Sequence, residues 1–281
     1  MKHELTSEQI SSYQENGFVV IEDFLDKNEL EQWREAVNEA VQQRNGKKLP
    51  DRTLVGGEDS LKEDPDADYF SKVFDQLLNL WQSNDKVKNL MIDERIGKMA
   101  AELSGEDGIR IWHDQALIKK PWANPTSWHL DTPYWSYSNR NALSIWVALD
   151  DATLENGCLF FIPGSHKVTS FENPGITKNM GAVFEFYPQF RSTKSVAAPM
   201  KAGSASFHNG LCIHGAHANM TPGFRRAMTC AYMPEGSIFN GQKNILSDEQ
   251  VSKLKIGDVL RDDIQNPLIY SRITSPTNSN R

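Results

Sequence analysis

The chain has 281 residues, a formal charge of −7 at pH 7 and 39% hydrophobic residues. That is enough apolar content for one sizeable core, and the length fits a single domain. The acidic balance, with a pI near 5.5, argues against nucleic acid or an anionic membrane as the main partner.

No apolar run is long enough for a transmembrane helix. The start, Met1-Lys2-His3-Glu4, lacks the apolar region of a signal peptide. Cys158, Cys212 and Cys230 read as reduced core thiols. A cytoplasmic location is therefore expected.

Residues 1–108 read as a mostly helical flank. Thr6 or Ser7 can cap a short helix that ends at Gly17. Phe18 to Ile21 is a β-rich run. A second helix is expected from near Asp26 to about Arg44, with Leu30, Trp33, Val37 and Val41 at three- and four-residue spacing. Residues 45–66, rich in Gly, Pro and charge, read as a loop. Helical stretches are expected at 67–82 and 85–104, the latter ending at Ser104-Gly105.

Over 109–235 the pattern changes to short strands, expected at 109–120, 126–131, 142–150, 158–162, 182–187, 195–199, 203–208, 211–217 and 226–233. Turn signals such as Asn156-Gly157, Pro163-Gly164, Asn209-Gly210 and Pro222-Gly223 separate them. Many short punctuated strands indicate a sandwich or barrel. Residues 236–281 form a C-terminal extension, with a helix expected near 247–256 and a disordered end from Ser275 to Arg281.

The chemistry concentrates in His129-Leu130-Asp131, His214 and Arg225. On an extended segment, residues two apart point to the same side, so His129 and Asp131 can face one metal together. A second imidazole from a distant strand, His214, closes three ligands on one face. Two His and one carboxylate with the opposite face open is the arrangement of non-haem Fe(II) oxygenases. Arg225 adds a planar, permanent cation suited to a carboxylate. Arg225 and Arg226 point to opposite faces of a strand, so one of them reaches inward and the other is expected in solvent. Gln115 and Lys119 share a face of the strand before the His-x-Asp segment, and either can assist; for Lys119 a solvated or structural role is preferred. Cys212 lies two before His214, which leaves a place on the metal side open to it. His208 and His217 read as structural or supporting residues.

The stretches around these residues carry more information than the residues alone. They are Trp128 to Trp135, Ser144 to Asp151, Glu155 to Leu159, Pro163 to His166, and His214-Gly215 with Asn219, Thr221 and Gly223-Phe224-Arg225. With Gly17 to Ile21 near the start, they resemble the phytanoyl-CoA dioxygenase (PhyH) family of Fe(II)/2-oxoglutarate oxygenases, from about residue 5 to about residue 235. The resemblance implies one oxygenase domain over 1–281, mainly β with flanking helices around a double-stranded β-helix (a jelly-roll, cupin-like core). It implies Fe(II), 2-oxoglutarate and O2 as cofactor and co-substrates. The offset from His214 selects Arg225 over Arg226, and Trp146 matches an aromatic that lines the 2-oxoglutarate pocket. Position 216, often a hydroxyl residue in the family, is Ala216 here, which puts one hydrogen bond to the co-substrate in doubt. Related halogenating enzymes lack the carboxylate that Asp131 supplies, so hydroxylation is preferred.

The expected reaction oxidises a small, partly apolar molecule, such as a lipid-like acid, an amino-acid derivative or a secondary metabolite, with release of succinate and CO2. Trp128, Tyr134, Trp135, Phe186 and Arg191 are candidates for its pocket, beneath a lid formed by roughly 168–194. Core and loop packing is the competing reading for the aromatics, and a solvated charge for Arg191. Two other functions stay open: a cupin-type metal-dependent isomerase or hydrolase indifferent to 2-oxoglutarate, and a non-catalytic small-molecule-binding barrel. The sequence leaves the oligomeric state undetermined.

Overall fold

The computed structural model describes residues 1–44, 67–173 and 175–272. The loop expected at 45–66 and the tail at 275–281 lie outside the described residues.

Helix α1 (Ser7–Asn16) starts with a reciprocal cap between Thr6 and Gln9 and stops at Gly17, whose φ of 83° lets the chain turn. Strand β1 (Phe18–Ile21) follows. Asp26 accepts the N–H groups of Asn28 and Glu29 and opens α2 (Lys27–Arg44), which buries Leu30, Trp33 and Val37. Helix α3 (Ala67–Ser71) is short, because residues 75–78 form strand β2 (Asp75–Leu78) rather than continuing the expected helix. β2 pairs with β3 (Gly108–Lys119), and that pairing outweighs the weak helical preference of the segment. The helix expected at 85–104 divides into α4 (Asp85–Met91) and α5 (Glu94–Ser104). The break falls where the Asp93 side chain caps the second helix.

The core strands are β4 (Thr126–His129), β5 (Leu143–Ala148), β6 (Leu159–Phe161), β7 (Val196–Ala198), β8 (Ala205–Asn209), β9 (His214–Ala216) and β10 (Arg225–Pro234). Residues 183–186 are a helical turn, α6 (Val183–Phe186), not the expected strand. Val183 and Tyr187, one helical turn apart, both pack in a cluster with Leu130, Ile162, Leu211 and Ile213. Helix α7 (Asp248–Lys253) and strand β11 (Leu268–Ser271) complete the chain.

The strands form a seven-stranded main sheet, β1-β8-β5-β10-β3-β11 with β2 also on β3, and a four-stranded minor sheet, β4-β9-β6-β7. This is a mainly antiparallel jelly roll. The flank contributes β1 and β2 to the main sheet, and the extension contributes β11.

Alternation divides the main sheet between two jobs. One face carries Val19, Ile21, Ile145, Val147, Phe207, Met228 and Cys230 against Trp33, Val37, Val87, Met91, Ile96 and Met99 of the helices. The other face carries Trp146, Ala148 and Ala227 against Leu159, Phe161, Ala198 and Ala216 of the minor sheet. His129 and His214 on the minor sheet face Trp146 and Arg225 on the main sheet. Among the described residues no helix is long and apolar enough to cross a membrane.

Candidate active site

Strand pairing brings the two imidazoles together. His129 and His214 are register partners on β4 and β9, with ring centroids 4.2 Å apart. Phe161 is the next register partner of His214 on β6, and its ring lies nearly parallel to the imidazole at 6.0 Å. His129 Nδ1 donates to the Ser127 carbonyl at 2.8 Å and His214 Nδ1 to the Cys212 carbonyl at 2.9 Å. Both rings therefore carry the proton on Nδ1 and keep the Nε2 lone pair free.

Asp131 arrives by a different route from the one expected. The strand stops at His129, and Asp131 has helical dihedrals, φ −87° and ψ −52°. The Gly210 carbonyl accepts the N–H groups of both Asp131 and Thr132, at 2.8 and 3.0 Å, and Pro133 favours the tight turn that follows. The turn still sets the carboxylate beside both rings. Asp131 Oδ1 is 3.5 Å from His129 Nε2 and 3.6 Å from His214 Nε2. These three side chains offer donor atoms all within 4.8 Å of one another. Bonds of ~2.1 Å at right angles need donors about 3 Å apart, so an ion fits among them with small adjustments.

Burial alone would raise the Asp131 carboxyl, but the imidazoles of His214, His129 and His208 outweigh it and hold the group well below the usual carboxylate range. Burial, followed by His129, pushes His214 down to about 3. The result is an ionised carboxylate beside a neutral imidazole, which are the protonation states a divalent metal requires.

Gly215 sits between His214 and Ala216, and a Cβ there would lie 2.9 Å from the Thr126 carbonyl on β4. Backbone cannot yield as a side chain can. Gly215→Ala is expected to destabilise the fold by about 1–3 kcal/mol and to weaken metal binding by spreading β4 from β9. Thermal unfolding and a metal titration of the variant check this.

Arg225 opens β10 on the inner face. It is 2% exposed, its guanidinium carbon lies 5.2 Å from the Trp146 ring centroid, and its Nε and Nη1 are buried without partners. Burial lowers it to about 10. Its register partner is Lys119, fully buried and not solvated. Lys119 Nζ donates to the carbonyls of Val73 at 3.1 Å and Asn124 at 2.5 Å. Burial and then Arg225 push Lys119 down to about 7. Among the described residues neither cation has a carboxylate partner. A buried guanidinium with an orphaned edge, beside a lysine that a bound anion would keep charged, makes a site for an anion.

Arg226 corrects an expectation, for it is not simply solvated. Its Nε and Nη2 grip the two oxygens of Asp150 at 2.8 and 2.7 Å. Arg226→Ala is expected to cost about 1 kcal/mol, as partly exposed pairs do, and to leave 2-oxoglutarate affinity unchanged in a binding assay.

The remaining sequence candidates divide. Trp146 lies under Arg225, as noted. Gln115 is on the inner face, where its side-chain carbonyl accepts a hydrogen bond from Gln76. Trp135 is buried against His113 and Tyr137. Tyr134 follows Asp131 in the turn, and its buried hydroxyl has no hydrogen-bond partner among the described residues. Trp128 falls between Ser127 and His129, so alternation turns it away from the metal face and onto Phe184. Phe186 is 49% exposed and Arg191 is also exposed. Neither is brought to the triad. Tyr187 instead pins the segment, donating to the Glu172 carbonyl at 2.7 Å. The Cys212 thiol packs near Ser165 and Ile162, apart from the triad, and its backbone carbonyl orients His214. Two groups were not singled out in the sequence. Ser144 donates to Asp131 Oδ2, and the buried Ser206 hydroxyl is unpartnered beside Trp146. Isolated serines in strands carry no motif that would reveal them.

The family described as phytanoyl-CoA dioxygenase (PhyH) matches residues 13–227, a span that contains the triad and Arg225. The chain belongs to the PhyH family. Among curated proteins it is 24% identical over 285 residues to the Caenorhabditis elegans phytanoyl-CoA dioxygenase domain-containing protein 1 homolog, covering 89% of this chain and 98% of that one. It is 26% identical over 241 residues to the peroxisomal phytanoyl-CoA dioxygenase of Mus musculus, covering 81% and 68%. Among solved structures, the non-heme alpha-ketoglutarate-dependent carbocyclase SnoK from nogalamycin biosynthesis superposes with a TM-score of 0.73 at 24% identity, covering 94% and 96%. EctD from S. alaskensis with 2-oxoglutarate and 5-hydroxyectoine gives 0.68 at 19% identity, covering 93% and 86%. These likenesses show that this PhyH protein has the fold of 2-oxoglutarate-dependent oxygenases.

Proposed function

We propose that the protein is a non-haem Fe(II)/2-oxoglutarate-dependent dioxygenase that hydroxylates a small, partly apolar organic molecule and releases succinate and CO2. The observation that carries this reading is the pairing of two incomplete sites between the same two sheets. Three donor atoms converge, and a buried guanidinium has two nitrogens without partners. Fe(II) and a dicarboxylic co-substrate complete both.

In this reading His129 Nε2, His214 Nε2 and Asp131 hold the iron, and Arg225 holds the far carboxylate of 2-oxoglutarate through Nε and Nη1. Lys119, opposite it, adds positive potential. Trp146 forms an apolar wall under the guanidinium, while Gln115 and Ser206 offer polar atoms near that wall. Ala216 supplies no hydroxyl, so Ser206 is the better candidate for the missing hydrogen bond. Bound iron supplies O2 activation, coupled to conversion of 2-oxoglutarate into succinate and CO2 and to oxidation of a substrate C–H bond. The burial of His129, His214 and Arg225 excludes water, which strengthens each electrostatic contact and limits side reactions. Tyr134, three residues after Asp131 in the same turn, favours a partly apolar substrate. Cys158, Cys212 and Cys230 are buried and unpaired, which suits a reducing compartment such as the cytoplasm.

A screen of acyl-CoA thioesters, free acids, amino-acid derivatives and polyketide-like aromatics tests the reading. With Fe(II), 2-oxoglutarate and O2, one class is expected to accelerate succinate release and to gain one oxygen atom. A cupin-type isomerase or hydrolase would instead turn over substrate without consuming 2-oxoglutarate.

A further inference from the structure

The two oxygens of Asp131 have different surroundings. Oδ1 faces the Nε2 atoms of His129 and His214. Oδ2 receives Ser144 Oγ at 3.3 Å and His208 Nε2 at 3.3 Å. Ser144 and His208 are register partners on the adjacent strands β5 and β8, so the main sheet delivers two donors to one oxygen from a rigid base.

His208 is 3% exposed. Its ring is held by Phe161, with centroids 5.5 Å apart, and by His214 at 4.5 Å. Its Nδ1 is buried without a partner. Among the described residues the acceptor in its reach is the Asp131 carboxylate, so the hydrogen sits on Nε2 and points at Oδ2. His208 is not in the group of converging metal donors.

We propose that His208, together with Ser144, is a positioning residue that ties down Oδ2 so that Asp131 presents Oδ1 alone to the metal. A carboxylate free to rotate can grip an ion with both oxygens and take a coordination position that 2-oxoglutarate or O2 requires. Fixing one oxygen from behind prevents this and raises the order of the ligand set, as partners behind metal ligands do. The inference rests on the Fe(II)/2-oxoglutarate reading above.

The test compares wild type, His208→Leu, His208→Gln and Ser144→Ala by anaerobic Fe(II) titration and by the visible charge-transfer band formed with 2-oxoglutarate. His208→Leu is expected to weaken Fe(II) binding about 10–100-fold and to shift the band. His208→Gln, whose amide can donate to the same oxygen, is expected to restore most of both. Ser144→Ala should show a smaller loss in the same direction, and it carries the test if His208→Leu does not fold. Wild-type affinity and band position in His208→Leu would overturn the proposal. So would spectroscopic evidence that three imidazoles bind the iron, which would make His208 a ligand. A wild-type protein that binds Fe(II) but forms no band with 2-oxoglutarate would defeat the functional reading instead, and the metal titrations would still decide the role of His208.

Discussion

Asp131→Ala is expected to remove metal-dependent function. The substitution deletes the only anion among the converging donors, leaving two neutral imidazoles to hold a dication. It also strands the hydrogen-bond donors of Ser144 and His208. Loss of a partner behind a metal ligand typically costs 10–100-fold in affinity; loss of the charged ligand itself should exceed ~100-fold. Wild type should gain thermal stability on addition of Fe(II), because a ligand that binds only the folded state stabilises it. Asp131→Ala should gain none at the same concentration and should release no succinate above background. A variant that keeps the metal-induced shift would show that the ion sits elsewhere.

Arg225→Met is expected to separate co-substrate binding from metal binding. The guanidinium is buried with two donor nitrogens unsatisfied, so 2-oxoglutarate gains a charge-assisted pair that does not exist without it. Truncating one member of such a buried pair costs roughly 2–5 kcal/mol, which corresponds to a KM for 2-oxoglutarate raised about 30-fold or more. Fe(II) affinity should hold, since Arg225 contacts none of the three donors. The stability of the protein without co-substrate should stay level or rise, because Met removes a desolvated, unpaired cation. Stabilisation by 2-oxoglutarate should disappear. These opposite effects in one variant distinguish an anion site from a structural arginine, whose removal would only destabilise.

Much of this arrangement was legible in the sequence because it depends on local rules. A cap at Thr6 or Ser7, the stop at Gly17 and the strand containing His214 each follow from spacing or from one residue's conformational preference, whereas the choice of Arg225 over Arg226 came from the family resemblance. The failures share another cause. Residues 75–78 became a strand because β3 offered an edge, and the helical turn at 183–186 packs Val183 and Tyr187 on the distant residues Leu130, Ile162, Leu211 and Ile213. Asp131 reaches the site through a turn held by the distant Gly210 carbonyl, and His208 and Ser144 meet it only because β5 and β8 lie side by side. Arg226 was expected in solvent because a strand's second face is usually wet, but Asp150 lies within reach at the end of β5. Each of these is a contact distant in sequence, which no local pattern encodes.

The most direct measurement is anaerobic visible spectroscopy of the purified protein with Fe(II) and 2-oxoglutarate. The wild-type protein is predicted to form the weak metal-to-ligand charge-transfer band of an iron-bound 2-oxo acid. Asp131→Ala should form none, and Arg225→Met should need far more 2-oxoglutarate to reach it. A wild-type protein with iron demonstrably bound and no band at saturating 2-oxoglutarate would contradict the account and favour a metal enzyme that does not use this co-substrate.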